Sequence, residues 1–122
     1  MENFHGRTVF FVRDAVRSFA FYTESLGCAV AWDYPSGGHP FVFEVSLFGL
    51  QLIINQIEEP TADRAGRGRV FVGLDPEQRQ ALFRHIEAKG IATTSVYWGD
   101  PRLAILDPDG NEIFFSLAPE GS

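Results

Sequence analysis

The sequence predicts an α+β fold: two βαβββ modules, each a strand, a helix and three more strands, forming curved mixed sheets around a cleft. Three observations carry that prediction. The order of elements repeats after about 55 residues. A breaker-rich polar stretch, residues 57–68, separates the two copies. The chain also ends in a strong hairpin, Val96 to Leu117, in which alternating apolar runs flank Asp107-Pro-Asp-Gly110. The expected organisation is one domain over residues 1–122, with modules at about 1–58 and 67–118 joined by a linker at 59–66.

The elements follow in order. Thr8 to Val12 is β-rich, and Asp14 stands where the N-cap of a helix over Ala15 to Leu26 should be. Val16, Phe19, Ala20 and Leu26 recur at helical spacing, so this face is expected inward, and Gly27 supplies the stop. Strands are expected over Cys28 to Tyr34, Phe41 to Leu47 and Leu50 to Gln56, with a mobile loop at 35–40 and a tight turn at Phe48-Gly49. In the second copy Arg69 to Leu74 is a strand. Asp75 caps a helix with Pro76 in its first turn; Leu82, Phe83 and Ile86 line its inner face, and Gly90 ends it. Ile91 to Tyr97, Arg102 to Leu106 and Asn111 to Leu117 complete the set.

In the closing hairpin Asp107 can cap the turn with its carboxylate, Pro108 presets φ, and Gly110 can take a positive φ. On the last strand Ile113, Phe115 and Leu117 share one face, and Glu112, Phe114 and Ser116 the other. This second face is where function is expected, because it mixes polar groups with bulky rings.

Composition narrows the function classes. At 122 residues and 45% hydrophobic content the chain is globular. No apolar run reaches the roughly 18 residues of a membrane span, and the first residues lack a signal-peptide core, so a cytoplasmic location without membrane contact is expected. A net charge of −6 with ten scattered basic residues argues against a nucleic-acid partner. The single cysteine, Cys28, excludes an intrachain disulfide and reads as a buried hydrophobe. There is no nucleophile elbow and no phosphate-cradling glycine loop.

Val12-Arg-Asp14 with Phe19-Ala-Phe-Tyr-Thr-Glu-Ser-Leu-Gly27, then Tyr97-Trp-Gly99 and Asp107-Pro-Asp-Gly-Asn111, resembles the vicinal oxygen chelate superfamily of glyoxalases, dioxygenases and antibiotic-resistance proteins. The Trp-Gly before the last hairpin is similar to the bleomycin-resistance branch. The resemblance implies paired βαβββ modules and a homodimer. Its enzymes hold a divalent cation with inward His or Glu, but the corresponding positions here carry Arg7, Arg69, Phe114 and a residue near Gln51 or Ile53. Guanidinium groups cannot ligate a cation, so no metal and no cofactor are expected.

The expectation is therefore a binding protein that sequesters a small aromatic ligand or antibiotic rather than an enzyme. Its expected ligand-binding residues are Arg7, Trp32, Tyr34, Phe41, Gln51, Arg69, Trp98, Glu112 and Phe114, with Asn55 as a further polar anchor. The alternative is a metal-dependent lyase, isomerase or dioxygenase, with a register slip of two bringing His5, together with Glu44 or Glu112, into a ligand set.

Overall fold

Two four-stranded mixed sheets share a single core. A computed structural model describes residues 6–58 and 62–116, with the side chains of Ala62, Trp98 and Asp100 excepted. His5, Leu117 and residues 59–61 of the connector lie outside the described residues. The first sheet contains β1 (Thr8–Val12), β2 (Ala29–Ser36), β3 (His39–Leu47) and β4 (Leu50–Gln56). The second contains β5 (Arg69–Val72), β6 (Thr94–Trp98), β7 (Asp100–Leu106) and β8 (Glu112–Ser116). Their strand orders are β1-β4-β3-β2 and β5-β8-β7-β6. In each sheet the first strand pairs parallel to the last, and the remaining pairings are antiparallel. No described helix is long and apolar enough to cross a membrane.

Helix α1 (Ala15–Ala20) starts where Asp14 accepts from the backbone N–H groups of Val16 and Arg17. It then widens into a π-helical turn, Phe21–Ser25, closed by Leu26 N–H donating to Phe21 O at 2.8 Å. Its inner face is turned by one residue from the expected one. Ala15, Ser18, Tyr22 and Leu26 are buried, whereas Val16 is 48% exposed. The i, i+3, i+7 stripe starting at Ala15 meets the sheet, and its neighbour in sequence points about 100° away from it. In α2 (Pro76–Lys89), Asp75 and Gln78 form a reciprocal capping box and Gly90 ends the helix at φ +64°. Leu82 is buried and Ile86 packs on the core, but Phe83, one step round the helix from Leu82, is 42% exposed.

The expected mobile loop at 35–40 is instead a tight hairpin. Pairing continues to Ser36 opposite His39, and Gly37 and Gly38 take φ +63° and +82°. Two successive positive φ values match the right-handed twist of the flanking strands, so glycines that look like a breaker run serve as a two-residue turn. Trp32 and Tyr34 thus lie within β2 rather than at a strand end.

Burial alternates along β1 and β4, whereas β2 is exposed throughout and β8 buries three residues in a row. Phe10, Val12, Phe43, Val45, Leu52, Ile54, Val72, Ile105, Ile113 and Phe115 join one cluster with residues of both helices. Glu112, Phe114 and Ser116 fall on the opposite face of β8, as period-two reading requires. The halves are stitched where the end of β1 meets the closing hairpin. Phe11 O accepts from Gly66 N at 3.1 Å and from Asn111 Nδ2 at 3.1 Å, while Asn111 Oδ1 accepts from Gly68 N at 2.8 Å. A Cβ at Gly68 would come within 2.4 Å of the Phe10 ring, so this crossing requires glycine.

Candidate functional site

The face of each sheet turned away from the helices carries an arginine–glutamate pair, built differently in the two halves. In the first half Arg7 Nε lies 3.0 Å from Glu44 Oε1, and Trp32 Nε1 donates to the same oxygen at 2.9 Å. The register explains the meeting: Glu44 on β3 sits opposite Trp32 on β2, so both side chains leave the sheet on one side. Glu44 is 3% exposed and Trp32 41%. Enclosing a carboxylate costs free energy unless its oxygens are hydrogen-bonded, and here a guanidinium and an indole N–H both reach Oε1.

In the second half Arg69 on β5 stands opposite Glu112 on β8 and donates to Oε1 from Nη2 at 2.7 Å and from Nε at 2.8 Å. The next pair along is Phe71 and Phe114, edge to face with centroids 5.3 Å apart. Arg69 Cζ lies 4.5 Å from the Phe114 centroid, and Arg102 Cζ lies 5.1 Å from that of Phe71. Cations over ring faces gain about 0.5–2 kcal/mol each, so this run of ring and guanidinium holds itself in place.

Of the residues named from sequence, Arg7 and Trp32 meet at Glu44, and Arg69, Glu112 and Phe114 meet on the second sheet. Phe114 is only 3% exposed, so it supports Arg69 and Phe71 rather than offering an open wall. Tyr34, opposite Val42, is 71% exposed. Phe41 alternates with the second-face residue Val42 and falls on the helix side with Phe43. Gln51 and Phe71 line a cavity of about 310 Å³ that also touches Thr8 and Gly73, across the seam between β1 and β5. Asn55 pairs with Val42 on the second face. The Trp98 side chain is outside the described residues.

Phe71 and Arg102 went unnamed. Alternation from Arg69 points to Phe71, but only the strand order brings Arg102 across β8 to its ring.

The polar groups of this face match a divalent cation poorly. One oxygen of each glutamate, Oε1, is held by a guanidinium, and the β8 position that would complete a set is Phe114. No group of three His, Cys, Asp or Glu residues among the described residues could hold an ion. Cys28 is buried, and desolvation pushes its thiol up to about 12, which suits packing rather than nucleophilic attack. His85 Nε2 lies 2.7 Å from Ser25 O and joins α2 to the π-helical turn.

No curated protein matches the chain in sequence. Among solved structures, a glyoxalase/bleomycin resistance protein from Catenulispora acidiphila is similar over 96% of this chain and 100% of its own, at 20% identity and a TM-score of 0.73. A lactoylglutathione lyase from Agrobacterium tumefaciens is similar over 93% of this chain and 92% of its own, at 17% identity and a TM-score of 0.64. An antibiotic binding protein from a Streptomyces species is similar over 95% of this chain and 98% of its own, at 20% identity and a TM-score of 0.62. At these identities the likeness is one of fold. Residues 5–115 match the family model for the Glyoxalase/Bleomycin resistance protein/Dioxygenase superfamily, so the chain belongs to that superfamily.

Proposed function

We propose that this protein is a metal-free binder that sequesters a small, flat aromatic guest such as an antibiotic or other natural product. One observation carries the reading: the carboxylates on the second face are tied to Arg7 and Arg69, while Trp32, Tyr34 and Phe71 keep between 39% and 71% of their surface open beside them. Exposed rings on a hydrogen-bonded frame suit stacking, which needs no ligand atom activated. The likeness to an antibiotic binding protein is in keeping with it. The proposal includes a homodimer in the cytoplasm, with modules at about 1–58 and 67–118 and the linker at 59–66 as the units that frame each cleft.

The test is a thermal-shift screen of bleomycin-like, quinoxaline and other planar heteroaromatic compounds on protein assayed for metal. Stabilisation by a stacked ligand, with indole quenching and no stoichiometric metal, is expected. About one transition metal per chain, lost together with a catalytic turnover on chelation, would favour the lyase, isomerase or dioxygenase reading instead.

A further inference from the structure

We infer that the cavity where the connector crosses β1 is a second binding site, separate from the Arg7 and Arg69 pairs, that takes a carboxylate carried on a small apolar or aromatic body. The cavity measures about 290 Å³ and is lined by Val9, Phe11, Arg64, Arg67 and Gly68. That volume sits at the small end of the roughly 300–1,000 Å³ of ligand sites, so the occupant is small.

Two exposed arginines meet there, in a protein of net charge −6. Neither has a carboxylate partner among the described residues, where Arg7, Arg13 and Arg69 have Glu44, Asp109 and Glu112. Arg64 Cζ lies 4.1 Å from the Phe11 centroid, so the guanidinium sits over the ring while its N–H groups remain able to donate to an acceptor. Arg67 spends Nε on Asp63 O and keeps its terminal nitrogens. Two such donors suit the paired oxygens of a carboxylate, while Val9 and Phe11 give the rest of the ligand an apolar floor that a bare oxyanion would not use.

The floor is fixed before any ligand arrives. Phe11 is pinned through its carbonyl by Gly66 and Asn111, and Ala62–Arg64 forms a 3₁₀ turn against β1. A preformed site loses less freedom on binding. This inference does not rest on the sequestration reading: Val9 and Phe11 share the sheet face that continues to Asn55 and Val42, but neither they nor Arg64, Arg67 and Gly68 are among the rings and ion pairs assigned to that guest.

The test is a ¹H–¹⁵N NMR titration of the full chain with 2-naphthoate, with its neutral isostere 2-naphthamide, and with inorganic phosphate as competitor. Naphthoate is expected to shift the amides of Phe11 and residues 64–69 and to bind at least about 10-fold tighter than the amide, since a guanidinium bonds a charged acceptor more strongly than a neutral one. Arg64→Gln and Arg67→Gln should each weaken naphthoate about 10-fold, leave naphthamide unchanged, and leave the melting temperature within a degree or so, because both side chains are exposed. Equal binding of acid and amide, or indifference to Arg64→Gln, would overturn the inference. So would phosphate displacing naphthoate at equal concentration, which would mark a site for bare oxyanions. Shifts confined to the Trp32 indole and Phe71 would sink this site and leave the sequestration reading standing; a failed quinoxaline screen beside a positive naphthoate titration would do the reverse.

Discussion

The two halves repeat one order of elements but close their last hairpins by different means. In the first half β3 turns into β4 at Phe48-Gly49, with Phe48 itself at φ +59°, a strained choice for a bulky side chain. In the second half β7 turns into β8 around Asp107, which is 5% exposed. Its Oδ1 accepts from the backbone N–H of Asp109 and Asn111 at 3.0 and 2.9 Å; its Oδ2 accepts from Asn111 Nδ2 at 2.9 Å and from the Tyr22 hydroxyl at 2.8 Å. A Gly110 N–H to Asp107 O bond at 3.0 Å closes the turn. Tyr22 belongs to the first half, so this turn is also the joint between the halves. A repeated fold can thus load one of two equivalent hairpins with the task of holding the copies together.

That difference makes Asp107 the largest single lever. Asp107→Ala strips four donors of a common acceptor, one of them the buried Tyr22 hydroxyl, and is expected to cost about 3–5 kcal/mol. Urea unfolding checks it. A loss below about 1 kcal/mol would mean that the turn is held by its backbone geometry alone. Tyr22→Phe, which removes one bond of the four, should cost about 1–2 kcal/mol.

Much of this was legible in the chain. Asp-Pro-Asp-Gly names its turn, because each residue type there has a local conformational reason that no distant contact has to supply. The same holds for Asp14, Asp75 and Gly90 at the helix ends. The partner of Asp107 was not legible: Tyr22 lies 85 residues away, and nothing local distinguishes it from Phe19 or Phe21. Val16 and Phe83 were misplaced for the related reason that an apolar neighbour one step along a helix points about 100° away, and the sheet chooses which of the two faces packs. On the last strand alternation put Glu112 and Phe114 on one face, and the family resemblance added Arg69 to them. The Trp32–Glu44 contact needed the register of β2 against β3, with its bulge between Val30 and Trp32. Arg64 and Arg67 sat in a stretch that reads as a polar connector, and their cavity exists only once β1 lies beside it.

A smaller effect separates the halves at high pH. Burial raises the Cys28 thiol from its ordinary 9.0 to about 12, and burial together with the neighbouring Asp107 carboxylate raises the Tyr22 phenol well above its usual range. Both groups lie in the first half and both are neutral when protonated. The folded state therefore holds its protons to a higher pH than the unfolded chain. Their contribution is fully present below about pH 9 for the thiol, and is lost as pH rises from there towards 12 at about 1.4 kcal/mol per pH unit for each proton. Cys28→Ala should flatten the decline of stability between pH 9 and 10.5 by close to one proton's worth. An unchanged slope would mean that the thiol ionises alike in both states.

The finest distinction lies between the two arginine–glutamate pairs. Glu44→Gln removes the charge opposite Arg7 at a position 3% exposed, and it disturbs the acceptor of the Trp32 indole, so a loss of about 1–2 kcal/mol with a shift in tryptophan emission is expected. Arg7 keeps 41% of its side-chain surface in water, which holds the loss below that for a wholly buried pair. Glu112→Gln acts on a pair whose side chains are 42% and 31% exposed, where solvent already screens the charges; the expected cost is under about 1 kcal/mol. Equal losses from the two substitutions would erase the distinction. They would mean that the enclosed carboxylate of the first half is no more committed than the open one of the second, and that an approaching cation could compete for either.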